Sequence, residues 1–164
     1  MRNRLFLLAI LIIALLQATL LNYIKVFGVK PDLLLIIFFI SSLFFELKWA
    51  LVFGICVGIL KDILGINTFA INTLLLPLWS LLIMKLSKKI SIDSNFIRAA
   101  FIFIIIISND IVSRLIFLFL GKFIIPLSIF LRIAFLESLY TALVSFLIFR
   151  IFNHYFIYKR KMAY

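Results

Sequence analysis

The chain has 164 residues, 66% of them hydrophobic and 14% charged, with a mean hydropathy of +1.31. Soluble domains use about 45–50% apolar residues, so the composition excludes a water-soluble fold and implies one polytopic, all-α membrane domain over residues 1–164, with nothing left for an extramembrane domain. The formal charge of +11 does not imply nucleic acid: Lys85, Lys88, Lys89, Lys159, Arg160 and Lys161 flank apolar runs, where membrane topology accounts for them.

Arg2 and Arg4 followed by Leu5 to Leu16 have the form of a secretory leader, but the apolar run continues to about Ile24 with no small-x-small cleavage site. It reads as an uncleaved first spanning helix. Apolar runs broken by charged or turn residues predict six transmembrane helices, over about 5–24, 33–45, 49–60, 69–84, 96–120 and 127–149. A span needs about 20 residues, so the short second and third runs must extend past their charged ends, cross a thinned bilayer or form a hairpin buried by neighbours. Six full crossings are expected. Pro77 falls inside the fourth run and should free the carbonyl of Thr73, and Pro126 should open the sixth helix.

Lys and Arg are retained on the cytoplasmic side of a membrane. Arg2, Arg4, Lys48, Lys85, Lys88, Lys89, Arg150, Lys159, Arg160 and Lys161 fall on one side of the predicted layout, against Lys25, Lys30, Lys61 and Lys122 on the other. Both termini are therefore expected in the cytoplasm.

Polar residues inside the spans carry the functional information. Gly54-x-x-x-Gly58-x-x-x-Asp62 places two small residues and a carboxylate on one helix face, the pattern of a helix contact. Such a face predicts that leucine at Gly54 or Gly58 separates a partner while leaving insertion intact. Asp62 would either bond that partner or cap the turn between Asn67 and Asn72. Ala14, Gln17 and Ala18 give the first helix a small polar face, as Ala134, Ser138 and Ala142 do for the sixth.

A charge at mid-bilayer costs about 2.5–3.5 kcal/mol, so Asp110, Arg114 and Glu137 require an explanation. Asp110 precedes Arg114 by four residues, the favourable order for an intrahelical pair, and Glu137 would join them from the sixth helix. The cluster is read first as a neutralised packing device between helices five and six, and second as a substrate or proton site.

The chemistry of common enzymes is missing from the sequence. His154 is the single histidine and Cys56 the single cysteine, which leaves no His-based or Cys-based metal site, no His-dependent triad and no intrachain disulfide. There is no G-x-S-x-G elbow and no phosphate-binding G-x-x-x-x-G-K-[ST] loop. An intramembrane aspartyl enzyme needs two convergent carboxylates, and Asp62 and Asp110 lack the motifs that surround such a pair. No catalytic residue and no cofactor is expected.

Pro31-Asp32-Leu33-Leu34-Leu35, then Gly54 to Asp62 with its glycine spacing, then Phe69-Ala70-Ile71-Asn72-Thr73-Leu74 together resemble the MreD family of rod shape-determining membrane proteins. The likeness extends over the whole chain in length and span layout, with its specific motifs within about residues 30–75. Two positions depart from the family pattern: Ala70, where glycine is usual, and Lys61, where an apolar residue is usual. The resemblance implies a non-enzymatic component of the bacterial inner (cytoplasmic) membrane that serves cell elongation and lateral-wall peptidoglycan synthesis. Its implied partners are MreC, the RodA and class B penicillin-binding protein pair, and the MreB filament, with membrane lipids around it. Pro31, Asp32, Gly54, Gly58, Asp62 and Asn72 are the motif or partner-binding residues it implies.

The family also resembles in fold the six-helix S components of energy-coupling-factor vitamin transporters. The competing expectations are therefore an S component, docking through Ala14-x-x-x-Ala18 and binding a small molecule in an outward pocket, or a small secondary transporter using Asp110, Arg114 and Glu137.

Overall fold

A computed structural model of the chain describes residues 2–19, 23, 25, 27–65, 70–89, 94–121 and 125–161, with residue 2 and residues 151–161 described by backbone alone. Its elements are α1 (Arg2–Thr19), α2 (Leu33–Phe44), α3 (Leu47–Leu64), α4 (Ile71–Lys89), α5 (Asn95–Phe119) and α6 (Leu127–Lys161). The helices coincide with the six apolar runs of the sequence to within a few residues, except that α6 continues beyond the expected end at Phe149 to Lys161. The expected end of the first run near Ile24 and the expected start of the fourth at Phe69 lie outside the described residues.

The shortest helix organises the others. α2 touches each of α1, α3, α4, α5 and α6, and Leu34, Leu35, Ile36, Ile37, Phe38 and Phe39 are all buried. A segment apolar on every side, as these consecutive residues are, finds its stable place only with neighbours all round. The chain enters α2 through Asp32, whose carboxylate accepts the Leu35 N–H at 3.1 Å and so satisfies one of the free donors of the first turn. It leaves through Phe45 and Glu46 alone before α3 begins, so α2 and α3 form a tight antiparallel hairpin. Phe6, Phe45 and Phe53 close the link end of that hairpin, with ring centroids 4.7–4.9 Å apart.

α3 and α4 are the most closely packed neighbours, and the reason is Gly58. A Cβ built there would lie 2.5 Å from the Thr73 Cα and 2.7 Å from the Asn72 carbonyl oxygen. At Gly54, one turn earlier, a Cβ would lie 3.3 Å from the Phe38 ring and from the Pro77 nitrogen and 3.4 Å from the Leu76 carbonyl carbon. Pro77 is accommodated inside a continuous α4. Pro126 stands just before α6, its carbonyl accepting the Phe130 N–H at 3.1 Å.

The outer faces are apolar. Leu5, Leu8, Leu11, Ile12 and Leu15 on α1, Leu74 and Leu78 on α4, and Leu131, Phe135, Leu143 and Leu147 on α6 are all exposed, a belt that water would disfavour and lipid would solvate. Among the described residues two segments are long and apolar enough to cross a membrane: all of α5 and residues Leu127–Arg150 of α6. α1 from Asn3 and α2 are apolar but shorter. α3 carries Lys48, Lys61 and Asp62, and α4 ends on Lys85, Lys88 and Lys89. By length and composition, two of the six helices could be membrane spans among the described residues.

Candidate functional site: two polar braces between the helices

Lys61 and Asp62 are adjacent in the last turn of α3, and successive residues of a helix point about 100° apart. They therefore serve two different sets of partners. Asp62 turns toward α4. Its Oδ1 accepts the Asn72 backbone N–H at 3.1 Å and the Asn72 side-chain amide at 2.8 Å. Its Oδ2 accepts the Thr73 backbone N–H at 2.9 Å and the Thr73 hydroxyl at 2.7 Å. A buried carboxylate from one helix thus caps the first turn of the next, meeting donors that the helix cannot satisfy internally and the positive end of its dipole. Asn72 extends this brace to α5: its Oδ1 accepts the Asn109 side-chain amide at 3.2 Å. The small face at Gly54 and Gly58 brings the two backbones close enough for these bonds to form.

The expected role of Asp62 as a cap is therefore met by Asn72 and Thr73, while Asn67 lies outside the described residues. The stripe of Gly54, Gly58 and Asp62 lies against α4 of the same chain. Leucine at Gly58 would meet the chain's own backbone before it met any partner.

Lys61 turns the other way. Its Nζ lies 2.6 Å from the Asp32 Oδ2 in an ion pair whose two side chains are 17% and 3% exposed. The Gln17 amide of α1 donates to the Asp32 Oδ1 at 3.3 Å, and the Gln17 Oε1 accepts the Leu34 N–H at 3.0 Å. The Asp32 backbone N–H donates to the Thr141 hydroxyl on α6 at 2.9 Å, and that hydroxyl donates to the Glu137 carbonyl at 2.7 Å. Asp32 thus ties α1, α2, α3 and α6 at one point. Pro31 beside it is buried and has no N–H to satisfy.

The charges inside the bundle are sorted differently from the sequence expectation. Arg114 does not close on Asp110: its Nη2 donates to the Ile125 carbonyl at 2.9 Å, and its guanidinium lies 4.5 Å from the centre of the Phe130 ring. Among the described residues the close ion pair is Lys61–Asp32. Asp110 and Glu137 are instead Coulombic neighbours of Lys61, so the cation that the carboxylates share is a lysine of α3 and not the arginine of α5. Lys61 was expected as a charge of the outer loop. The signal that marks it is the match of a lone lysine near the end of one apolar run with a lone aspartate at the start of the preceding one.

Other small polar residues go where the sequence puts them. Ala14 is buried in the bundle beside Ile10, and Gln17, Ala134 and Ser138 are buried too. A face that includes Ala14 is thus used within the chain. Among the described residues no group of three His, Cys, Asp or Glu stands close enough to hold a metal ion.

A separate groove opens beside the second brace. It encloses about 400 Å³ between the segment Phe27–Lys30 and one face of α6, and its charged lining residues are Lys30, Arg132 and Glu137. Phe27 and Gly28, with φ of 53° and 81°, turn the chain through the left-handed region just before Lys30.

Compared with family models, curated proteins and solved structures, the chain matches none at the level that would establish kinship.

Proposed function

We propose that this chain is a scaffold of the bacterial inner membrane that serves cell elongation. In this reading it crosses the bilayer six times with both termini in the cytoplasm. It holds MreC and, with it, the RodA and class B penicillin-binding protein pair and the MreB filament at sites of lateral-wall synthesis.

The observation that carries the reading is that Asp32, Gly58 and Asp62, residues of the MreD pattern, are each engaged by other helices of the same chain. Asp62 is occupied by Asn72 and Thr73, Asp32 by Lys61 and Gln17, and Gly58 by the α4 backbone. A pattern spent on bracing defines a rigid body with apolar outer faces, which is what a membrane scaffold offers to partner helices. The six crossings are supported by the exposed apolar belt and by the burial of α2 among its neighbours, which lets a short helix lie at membrane depth. The orientation is supported by the excess of Lys and Arg on one side. Lys61 leaves that count, because it is paired inside the bundle.

Affinity purification of a tagged chain from native membranes in mild detergent, with the co-purifying proteins identified by mass spectrometry, tests the reading. Recovery of MreC and the wall-synthase pair is expected. Recovery of a transporter's ATPase and coupling subunits in their place would overturn it in favour of an S component. The carboxylates around Lys61 favour one further reading, a small secondary transporter. That reading requires Asp110→Asn to abolish uptake in cells while leaving the amount of folded protein unchanged.

A further inference from the structure

Two buried oxygens on α5 are left over by the braces. The bonds of the first brace run in one direction. The Asp62 carboxylate accepts, so Asn72 turns its amide to Asp62 and its Oδ1 to Asn109. Asn109 therefore presents its own amide to Asn72 and keeps its Oδ1, an acceptor on a side chain only 1% exposed, without a donor. One turn further along α5, the buried Ser113 Oγ has no partner either. A helical serine ordinarily donates to a carbonyl three or four residues back, as Ser41, Ser42, Ser138 and Ser145 do. Ser113 does not.

Asp110 completes the patch. At about 100° per residue, Ser113 stands one turn above the gap between Asn109 and Asp110, with its Cβ about 5–6 Å from each of theirs. The Asn109 side chain also borders the Asp110 carboxylate. The charges single out the same place. Asp32, Asp110 and Glu137 all lie within the field of Lys61, but the Lys61 ammonium makes its contact with Asp32. Glu137 has a second cation nearby in Lys30, which lines the same groove. Asp110 has no cation in contact among the described residues, since Arg114 turns to the Ile125 carbonyl. A carboxylate inside a membrane bundle needs a counter-charge, and a buried amide oxygen beside it needs a donor or a cation.

We infer that Asp110, the Asn109 Oδ1 and the Ser113 Oγ bind one alkali cation, sodium or potassium, inside the bundle. The inference rests on the reading of the chain as a membrane bundle. All three ligands are hard oxygens, which suit such ions better than zinc or copper. One carboxylate supplies one negative charge, which a monovalent ion neutralises and a divalent ion would overshoot. A proton on Asp110 would satisfy the Asn109 Oδ1 and leave the Ser113 oxygen unused, whereas a cation takes all three. Because Asn109 also holds Asn72, the ion joins the Asp62 brace to the charged residues around Lys61.

Thermal melting of the full chain in detergent, in sodium, potassium or choline chloride at one ionic strength, tests this. An alkali chloride should raise the melting temperature above that in choline by about 5–10 °C at a hundred times the dissociation constant of the ion, and the salt that does so at the lower concentration names the ion. Asp110→Asn should melt at one temperature in all three salts. Ser113→Ala should keep the response and move it to about tenfold higher salt, which a loss of packing alone would not do. Equal melting of the unaltered chain in the three salts overturns the proposal without need of any variant, and a melting temperature that then moves with pH alone would assign Asp110 a proton instead. A chain that fractionates with membranes and ignores the salts leaves the membrane reading standing. Failure to fractionate, seen before any salt is varied, would overturn that reading and the cation site with it.

Discussion

Lys61 and Asp62 are neighbours in sequence, yet they anchor two braces of different physical kinds. The Asp62 brace is saturated. One carboxylate receives four hydrogen bonds, two of them from backbone N–H groups at the start of α4, so its charge faces donors that the helix needs satisfied in any case. The Lys61 brace is a meeting of formal charges, one cation at 2.6 Å from Asp32 with Asp110 and Glu137 also within its field. Burying ions in this way gains little net stability, but removing one partner strands the others. The first brace resists change because its bonds are many and directed. The second is sensitive because its charges are interdependent.

Substitutions can break that contrast in order of size. Gly58→Leu should have the largest effect, because a side chain there meets the α4 backbone, which cannot give way as a flexible side chain can. Complete loss of the monodisperse species in size-exclusion chromatography is expected. Next comes Lys61→Met, which leaves Asp32, Asp110 and Glu137 without their shared cation and should cost about 3–5 kcal/mol in detergent unfolding. Adding Asp32→Asn to Lys61→Met should recover part of that loss, and strict additivity in this double-mutant cycle would refute the coupling. Asp62→Ala unpairs two buried backbone donors and should cost about 2–4 kcal/mol, with Asp62→Asn between it and the unaltered chain. Gly54→Ala needs shifts of only a few tenths of an ångström at Phe38 and the α4 backbone, so a loss of about 1–2 kcal/mol is expected. Arg114→Lys keeps the charge but loses the planar face over Phe130 and should cost less than about 1 kcal/mol. A larger loss would mean that Arg114 does join the charged brace.

The helices themselves were legible because runs of Leu, Ile and Phe interrupted by charges admit few other readings. α2 begins at Leu33, as its Asp32 cap announces. Asn72 and Asp62 were legible as a possible pair because both lie beside the same connection. Gln17 was legible as a helix contact, though not as the partner of Asp32. The sorting of charges was not. Helical spacing puts Asp110 and Arg114 on one face, but an arginine is long enough to choose a carbonyl and a ring beyond its own helix. That choice depends on where the Ile125 carbonyl and the Phe130 ring stand, which no periodicity encodes. Lys61 was counted as a loop charge because its distance along the chain from the last apolar run is small. Its burial follows from the angle at which α3 meets α2, a tertiary quantity. The groove was invisible for the same reason: Lys30 and Arg132 are separated by most of the sequence.

The two-residue link at Phe45 and Glu46 has a consequence for how the chain is made. It places Asp32 and Lys61 together at the open end of one helical hairpin. On the proposed topology that end must be carried across the membrane during synthesis. A hairpin translocated as a unit moves this aspartate and this lysine as a neutral couple, so the electrical gradient does no net work on the pair, whereas either residue exported alone would be driven or opposed by the membrane voltage.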